Sequence, residues 1–159
     1  MIITLKPVDS RNSDKVKKLS VFDNQPFIAT NSRSLEQAAE CNAEHLGVAR
    51  PFAIFADEKL VGFTMFAFEE DNDTPDDRYW LWRFMIDKNE QGKGFGKAAL
   101  EEIIRYFRDN NATHILLSTE PENEAGLYLY RKYGFRETGE INDNEIVLKL
   151  MLKGENDEQ

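Results

Sequence analysis

Gln91-Gly92-Lys93-Gly94-Phe95-Gly96-Lys97 stands between an aromatic-rich run, Tyr79 to Ile86, and a segment, Gly94 to Asn110, with Leu100, Ile103, Ile104 and Phe107 at helical spacing. The flanks predict a strand and an amphipathic helix, so the glycines occupy a strand-to-helix turn. Three glycines remove the Cβ atoms that would keep a ligand off the main chain. The free N–H groups of such a turn and of the helix start converge on an anion. Lys93 and Lys97 add positive charge, and Phe95 is expected to pack inward. A dinucleotide fingerprint, G-x-G-x-x-G, fails because Lys97 stands where the third glycine belongs. A Walker A loop fails because Ala98 follows Gly96-Lys97 and Gln91 replaces the first glycine. A glycine-rich turn with no ligand is the remaining alternative to a phosphate cradle.

Outward from this turn, the chain reads as one domain, residues 1–153, with a short polar tail at 154–159. Ile2 to Val8 alternates as a strand, and Asp9 to Phe22 has helical spacing. Ser34 to Leu46 reads as a helix capped by Ser34 with Gln37, and ended by Gly47. Phe52 to Ala56 and Leu60 to Phe68 form a hairpin about Asp57-Glu58-Lys59. His114 to Thr119 is a buried strand, and Glu122 to Tyr133 a helix terminated by Gly134. Phe135 to Glu140 and Glu145 to Leu152 close the chain as a strand pair about Asn142-Asp143-Asn144. Seven strands and four helices in this order imply an α/β (α+β) protein with a central sheet flanked by helices.

Twenty Lys and Arg against 29 Asp and Glu give a formal charge of -9, which disfavours nucleic acid as a partner. No apolar run approaches the roughly 18 residues of a membrane span, and the N-terminus lacks the basic region of a signal peptide. A cytoplasmic location is expected. The single Cys41 forms no intramolecular disulfide and lies within a predicted helix. His45 and His114 lack metal-ligand spacing, so no metal site is expected.

Asn123 to Phe135, N-E-A-G-L-Y-L-Y-R-K-Y-G-F, resembles the N-x-x-A-x-x-L-Y-x-x-x-G-F motif of GNAT acetyltransferases. It follows the Q-x-x-G-x-G turn of Gln91 to Gly96, which resembles the loop with which that family binds coenzyme A. Gly126 replaces the usual alanine, a departure that touches no chemical group. The likeness spans Phe52 to Leu152. Within the family, Trp80 to Asp87 is similar to the W-x-x-R-F-x-I-D run of bacterial diamine and spermine/spermidine acetyltransferases.

The resemblance implies a mixed, mostly antiparallel sheet splayed at the cofactor site, acetyl-CoA as acyl donor, and a small amine as acceptor. Main-chain groups of Phe84, Met85 and Ile86 would bind the pantetheine arm. Gln91, Gly92, Lys93, Gly94, Phe95, Gly96 and Lys97 would hold the pyrophosphate, and Asn123 would bond the cofactor. Tyr130 would sit near the thioester sulfur and protonate the leaving thiolate. Relatives often carry a carboxylate where Trp82 stands, so the base is not carried over, and Glu120 and Glu122 are substitutes. Many relatives are homodimers.

Six carboxylates lie within Glu69 to Asp77. Glu69, Glu70, Asp71 and Asp73 would steer a polycation to the acceptor mouth, with Trp80 and Trp82 offering cation–π faces. A solvated charge run and core tryptophans are the alternatives. The expected function is acetyl-CoA-dependent acetylation of a primary amine, a diamine or polyamine. A peptide N-terminus, a lysine or an aminoglycoside as acceptor, and a non-catalytic acyl-CoA-binding protein, remain open.

Overall fold

The computed structural model describes residues 1–23, 25, 29–45 and 48–152. Leu46 and Gly47, the expected end and terminator of the second helix, and residues 153–159, with the polar tail, lie outside the described residues. The strands are β1 (Ile3–Pro7), β2 (Ala49–Ala56), β3 (Lys59–Phe68), β4 (Tyr79–Ile86), β5 (His114–Thr119), β6 (Arg136–Asn142) and β7 (Glu145–Met151). The helices are α1 (Ser13–Lys18), α2 (Asn31–Glu44), α3 (Phe95–Asp109) and α4 (Glu124–Lys132).

The strands form one sheet in the order β1-β2-β3-β4-β5-β7-β6. Every neighbouring pair is antiparallel except β4 with β5, which α3 connects as a crossover. Leu100, Ile103, Ile104 and Phe107 of α3 bury against Phe66, Ile115, Leu117 and Leu148 of the sheet, together with Leu127 of α4. Val16 of α1 and Ala38 of α2 bury against Ala53, Phe63 and Met85 on the opposite face. Helices therefore cover both faces, α3 and α4 on one and α1 and α2 on the other.

Two helix starts differ from the sequence reading. The first helix shortens to Ser13–Lys18 because Asp9 Oδ1 accepts from Arg11 N at 2.9 Å and Asn12 Oδ1 from Asp9 N at 2.9 Å, holding a turn instead. The second helix begins at Asn31, capped by Thr30, whose hydroxyl accepts from Arg33 N at 3.2 Å. Ser34 is thus inside the helix and fully buried rather than capping it. The β6–β7 turn is Asp143-Asn144, with φ of 49° and 68°, conformations that Asp and Asn tolerate.

Candidate active site

β4 and β5 meet at one register pair, Trp80 with Leu116. Beyond it the strands diverge toward their C-terminal ends and border a cleft of about 350 Å³. Trp80, Trp82, Arg83 and Phe84 line it from β4, and Leu117, Ser118 and Thr119 from β5. Asn123, which caps α4, Tyr130 within α4, Asp143 of the β6–β7 turn and Glu145 at the start of β7 line the rest of it, with Leu81 and Ala29.

A β-bulge shapes this cleft. Met65 pairs with Arg83 but Phe66 with Leu81, so Trp82 is an extra residue in β4. The alternation of faces breaks there. Leu81 and Phe84 pack toward α3, whereas Trp82, Arg83 and Met85 all turn toward α2. Arg83 donates to Ser34 Oγ at 3.1 Å, to Gln37 Oε1 at 2.7 Å and to the Trp82 carbonyl at 2.9 Å. The expected capping pair of α2 is therefore a receptor for Arg83. Burial lowers the Arg83 pKa, and the Glu145 charge opposes that shift.

The cleft has two sides. Leu117 and Ile146 belong to the α3/α4 core, and Asn123 Nδ2 donates to Thr119 Oγ1 at 2.9 Å on that side. Ser118 and Glu145, one residue out of phase, face the α2 side, where Ser118 Oγ donates to Glu145 Oε1 at 2.7 Å. Two substrates could thus meet through the sheet rather than over it.

Because β4 and β5 are parallel, the starts of α3 and α4 both lie at the splayed end, where their N–H groups favour negative charge. Gly92 and Gly94 have φ of 78° and 86°, and a Cβ on either would meet nothing within 4 Å. That open space is what a main-chain cradle for a pyrophosphate needs. Gln91 Nε2 donates to the Ile86 carbonyl at 3.0 Å, tying the turn to the end of β4. Lys93 does not stand free, since its Nζ lies 3.0 Å from Glu90, which Lys59 also meets at 2.7 Å. These two cations hold the Glu90 carboxyl below its usual range. Lys97 is exposed, and half-buried Phe95 packs on the Ile3 and Ala99 cluster.

Tyr130 rests against Phe135 with ring centroids 5.7 Å apart. Burial pushes its hydroxyl above the usual tyrosine range, so it remains a proton donor at neutral pH. Asn123 caps α4, its Oδ1 accepting from Gly126 N at 3.2 Å. Trp80 Nε1 donates to the Asp77 carbonyl at 2.9 Å, and the Trp82 ring carries the Arg83 guanidinium 5.3 Å from its centroid. Asp87, at the end of the same run, accepts from Ser20 N at 2.9 Å and anchors the chain after α1.

The acidic loop lies elsewhere. Glu69, Glu70 and Asp71 border a separate pocket with Cys41, His45 and Arg50, and Asp73 is exposed. Glu70 sits 3.8 Å from Arg50, and Asp76 3.7 Å from Lys149. Burial and the nearby Glu69 and Glu44 push the Cys41 thiol up, away from a reactive thiolate. Glu120 and Glu122 form the turn into α4 and do not line the cleft. Glu145, Ser118 and Asp143 do, and no motif in the sequence marks them. The one available hint was that Glu145 precedes Ile146 in a strand whose alternation turns it from the core.

Residues 17–135 match the Acetyltransferase (GNAT) family. The chain belongs to this family. It is an acetyl-CoA-dependent N-acetyltransferase, and the open main-chain turn at Gly92 and Gly94 fits the pyrophosphate of that donor. The spermine/spermidine N(1)-acetyltransferase of Bacillus subtilis (strain 168) is 34% identical to this acetyltransferase over 157 residues, 96% of this chain and 99% of the relative. The spermidine N-acetyltransferase of Vibrio cholerae, solved with CoA and spermine, superposes with a TM-score of 0.69 at 21% identity, covering 94% of this chain and 95% of that one. The PaiA N-acetyltransferase of Thermoplasma acidophilum, solved with coenzyme A, superposes with a TM-score of 0.69 at 15% identity, covering 95% and 99%. At these structural identities the likeness is one of fold. No helix among the described residues is long and apolar enough to cross a membrane.

Proposed function

We propose that this enzyme acetylates a primary amine of a diamine or polyamine such as spermidine or spermine. The observation that carries the reading is the cleft through the sheet, with the Tyr130 hydroxyl on the α4 side and an opening to the α2 side. The near full-length relative named for spermine and spermidine supports the choice of acceptor.

Acetyl-CoA supplies an acetyl group on a thioester, already activated toward a nitrogen nucleophile. Gly92, Gly94 and the first turn of α3 would hold its pyrophosphate through main-chain N–H groups. The edge of β4 that faces away from β3 offers Phe84 main-chain groups and the Ile86 N–H to the pantetheine arm and to the carbonyl oxygen, whereas Met85, two residues before the Asp87 N–H that bonds Val61, turns its main-chain groups toward β3 instead. The Ile86 carbonyl is already taken by Gln91. Asn123 would hold the cofactor from the other wall. Tyr130, kept protonated by burial, would donate its proton toward the departing sulfur. The indoles of Trp80 and Trp82 would wall the acceptor's path.

A panel of amines assayed for free CoA release tests this reading. Spermidine and spermine should be turned over with the highest kcat/KM. Turnover confined to peptides or aminoglycosides would overturn it.

A further inference from the structure

Among the residues lining the cleft, two are carboxylates, Asp143 and Glu145. Asp143 is exposed at the tip of the turn, whereas Glu145 is half-buried in the wall. One Glu145 oxygen accepts from Ser118 Oγ at 2.7 Å, which fixes the side chain against β5. Glu145 makes no ion pair among the described residues. The nearby cation, Arg83, spends its guanidinium on Ser34, Gln37 and the Trp82 carbonyl. The cleft thus holds an anchored anion that makes no direct ion pair, since Arg83, whose charge it feels, turns its guanidinium to other partners. An ammonium group entering the cleft would meet a carboxylate already oriented by Ser118 and free to form a direct ion pair.

Position decides which cation. Glu145 faces the α2 side, and Tyr130 lies on the α4 side. The nitrogen that attacks must reach the Tyr130 side and must be neutral when it does. An ion pair would hold that nitrogen protonated. A second ammonium, a few bonds along the same acceptor, suffers no such conflict.

We infer that Glu145 binds a second cationic centre of the acceptor, and so makes the enzyme select diamines and polyamines over monoamines. The inference rests on the acceptor reading above and adds the residue that enforces it. Exposed Asp143 stands where a longer polyamine would leave the cleft.

The test compares wild type with Glu145→Gln, which keeps an oxygen to accept from Ser118 and removes only the charge. kcat/KM is measured for spermidine and for propylamine at saturating acetyl-CoA, and spermidine affinity for the enzyme–CoA complex by calorimetry. Glu145→Gln should raise the spermidine KM and weaken spermidine binding at least tenfold, with kcat changed less than threefold. Propylamine kinetics and acetyl-CoA affinity should move less than twofold. Equal losses for both amines would overturn the inference, placing the carboxylate at the reacting nitrogen. Unchanged spermidine binding and turnover in Glu145→Gln would also overturn it, while active wild type would leave the proposed function standing. A wild-type enzyme that neither binds nor acetylates spermidine, yet acetylates another acceptor, would remove the proposed function and this inference with it.

Discussion

Gly126 leaves room for the Asn123 side chain: a Cβ at Gly126 would lie 2.5 Å from Asn123 Nδ2 and 2.9 Å from its Cγ. The glycine in place of the family's alanine is therefore not a neutral departure. It permits Asn123 to turn back over α4, capping Gly126 N while donating to Thr119. Gly126→Ala gains up to about 1 kcal/mol of helix propensity but displaces a cap worth about the same. The expected result is near-neutral or destabilising in wild type, and stabilising by roughly 0.5–1 kcal/mol when Asn123 is already alanine. Urea denaturation of the four proteins checks it, and equal effects in both backgrounds would refute the contact.

Gly94→Ala probes the phosphate turn. The Cβ meets no protein atom, so the variant bears only the backbone strain of a left-handed residue, roughly 1–2 kcal/mol. CoA affinity should nevertheless fall at least tenfold, about 1.4 kcal/mol. Gly139→Ala is the control, since Gly139 has φ of 91°, is equally open, and lies on the edge strand β6. It should lose stability and keep CoA binding, as calorimetry would show.

Tyr130→Phe removes one oxygen and leaves the packing on Phe135. Turnover should drop by roughly 10²-fold or more, the range for an acid–base group, while acetyl-CoA affinity changes less than threefold. Near-normal turnover in steady-state assays would make Tyr130 a packing residue.

His114 gives a pH signature. It is 1% exposed, with Nε2 unpartnered among the described residues. Burial and then Lys149 push its pKa below the ordinary value, against the opposing pull of Asp76 and Asp77. The unfolded chain then takes up a proton near pH 6.5, before the native protein does. Stability is full above that pH, falls as pH drops through it, and levels off once the native imidazole also titrates. His114→Phe, packed on Tyr79 in the same place, should show a shallower loss of Tm between pH 7 and 5.

Glu69, Glu70, Asp71 and Asp73 lie outside the cleft, on a pocket shared with Cys41 and Arg50 or in solvent. Their replacement by Gln or Asn should leave the spermidine KM within about twofold at physiological salt, where the Debye length is about 8 Å. A several-fold rise that shrinks with added salt would restore this loop as a steering surface.

Much of this enzyme is legible along the chain because its causes are local. The glycine turn, the apolar stripe of α3 and the Asp143-Asn144 turn each depend on neighbours within a few residues. The edge strand Ile2 to Val8 followed from alternation, and inner strands such as His114 to Thr119 from short apolar runs, since helices bury both faces of the sheet there. The cleft's chemistry has another origin. Ser118 and Glu145 are 27 residues apart, and Arg83 reaches Ser34 and Gln37 across 49 and 46. Only the pairing of β5 with β7, and the packing of α2 on the sheet face to which β4 turns Arg83, brings these groups together. The bulge at Trp82 is a mismatch between two strands and has no signature in one of them. It turns both Trp82 and Arg83 toward α2, where strict alternation would have separated them. The acidic loop looked like an acceptor mouth because it adjoins the tryptophan strand in sequence. It joins β4 at the end where β4 and β5 pair, and the cleft opens at the other, so adjacency in the chain and proximity to the chemistry part company at the divergence of two parallel strands.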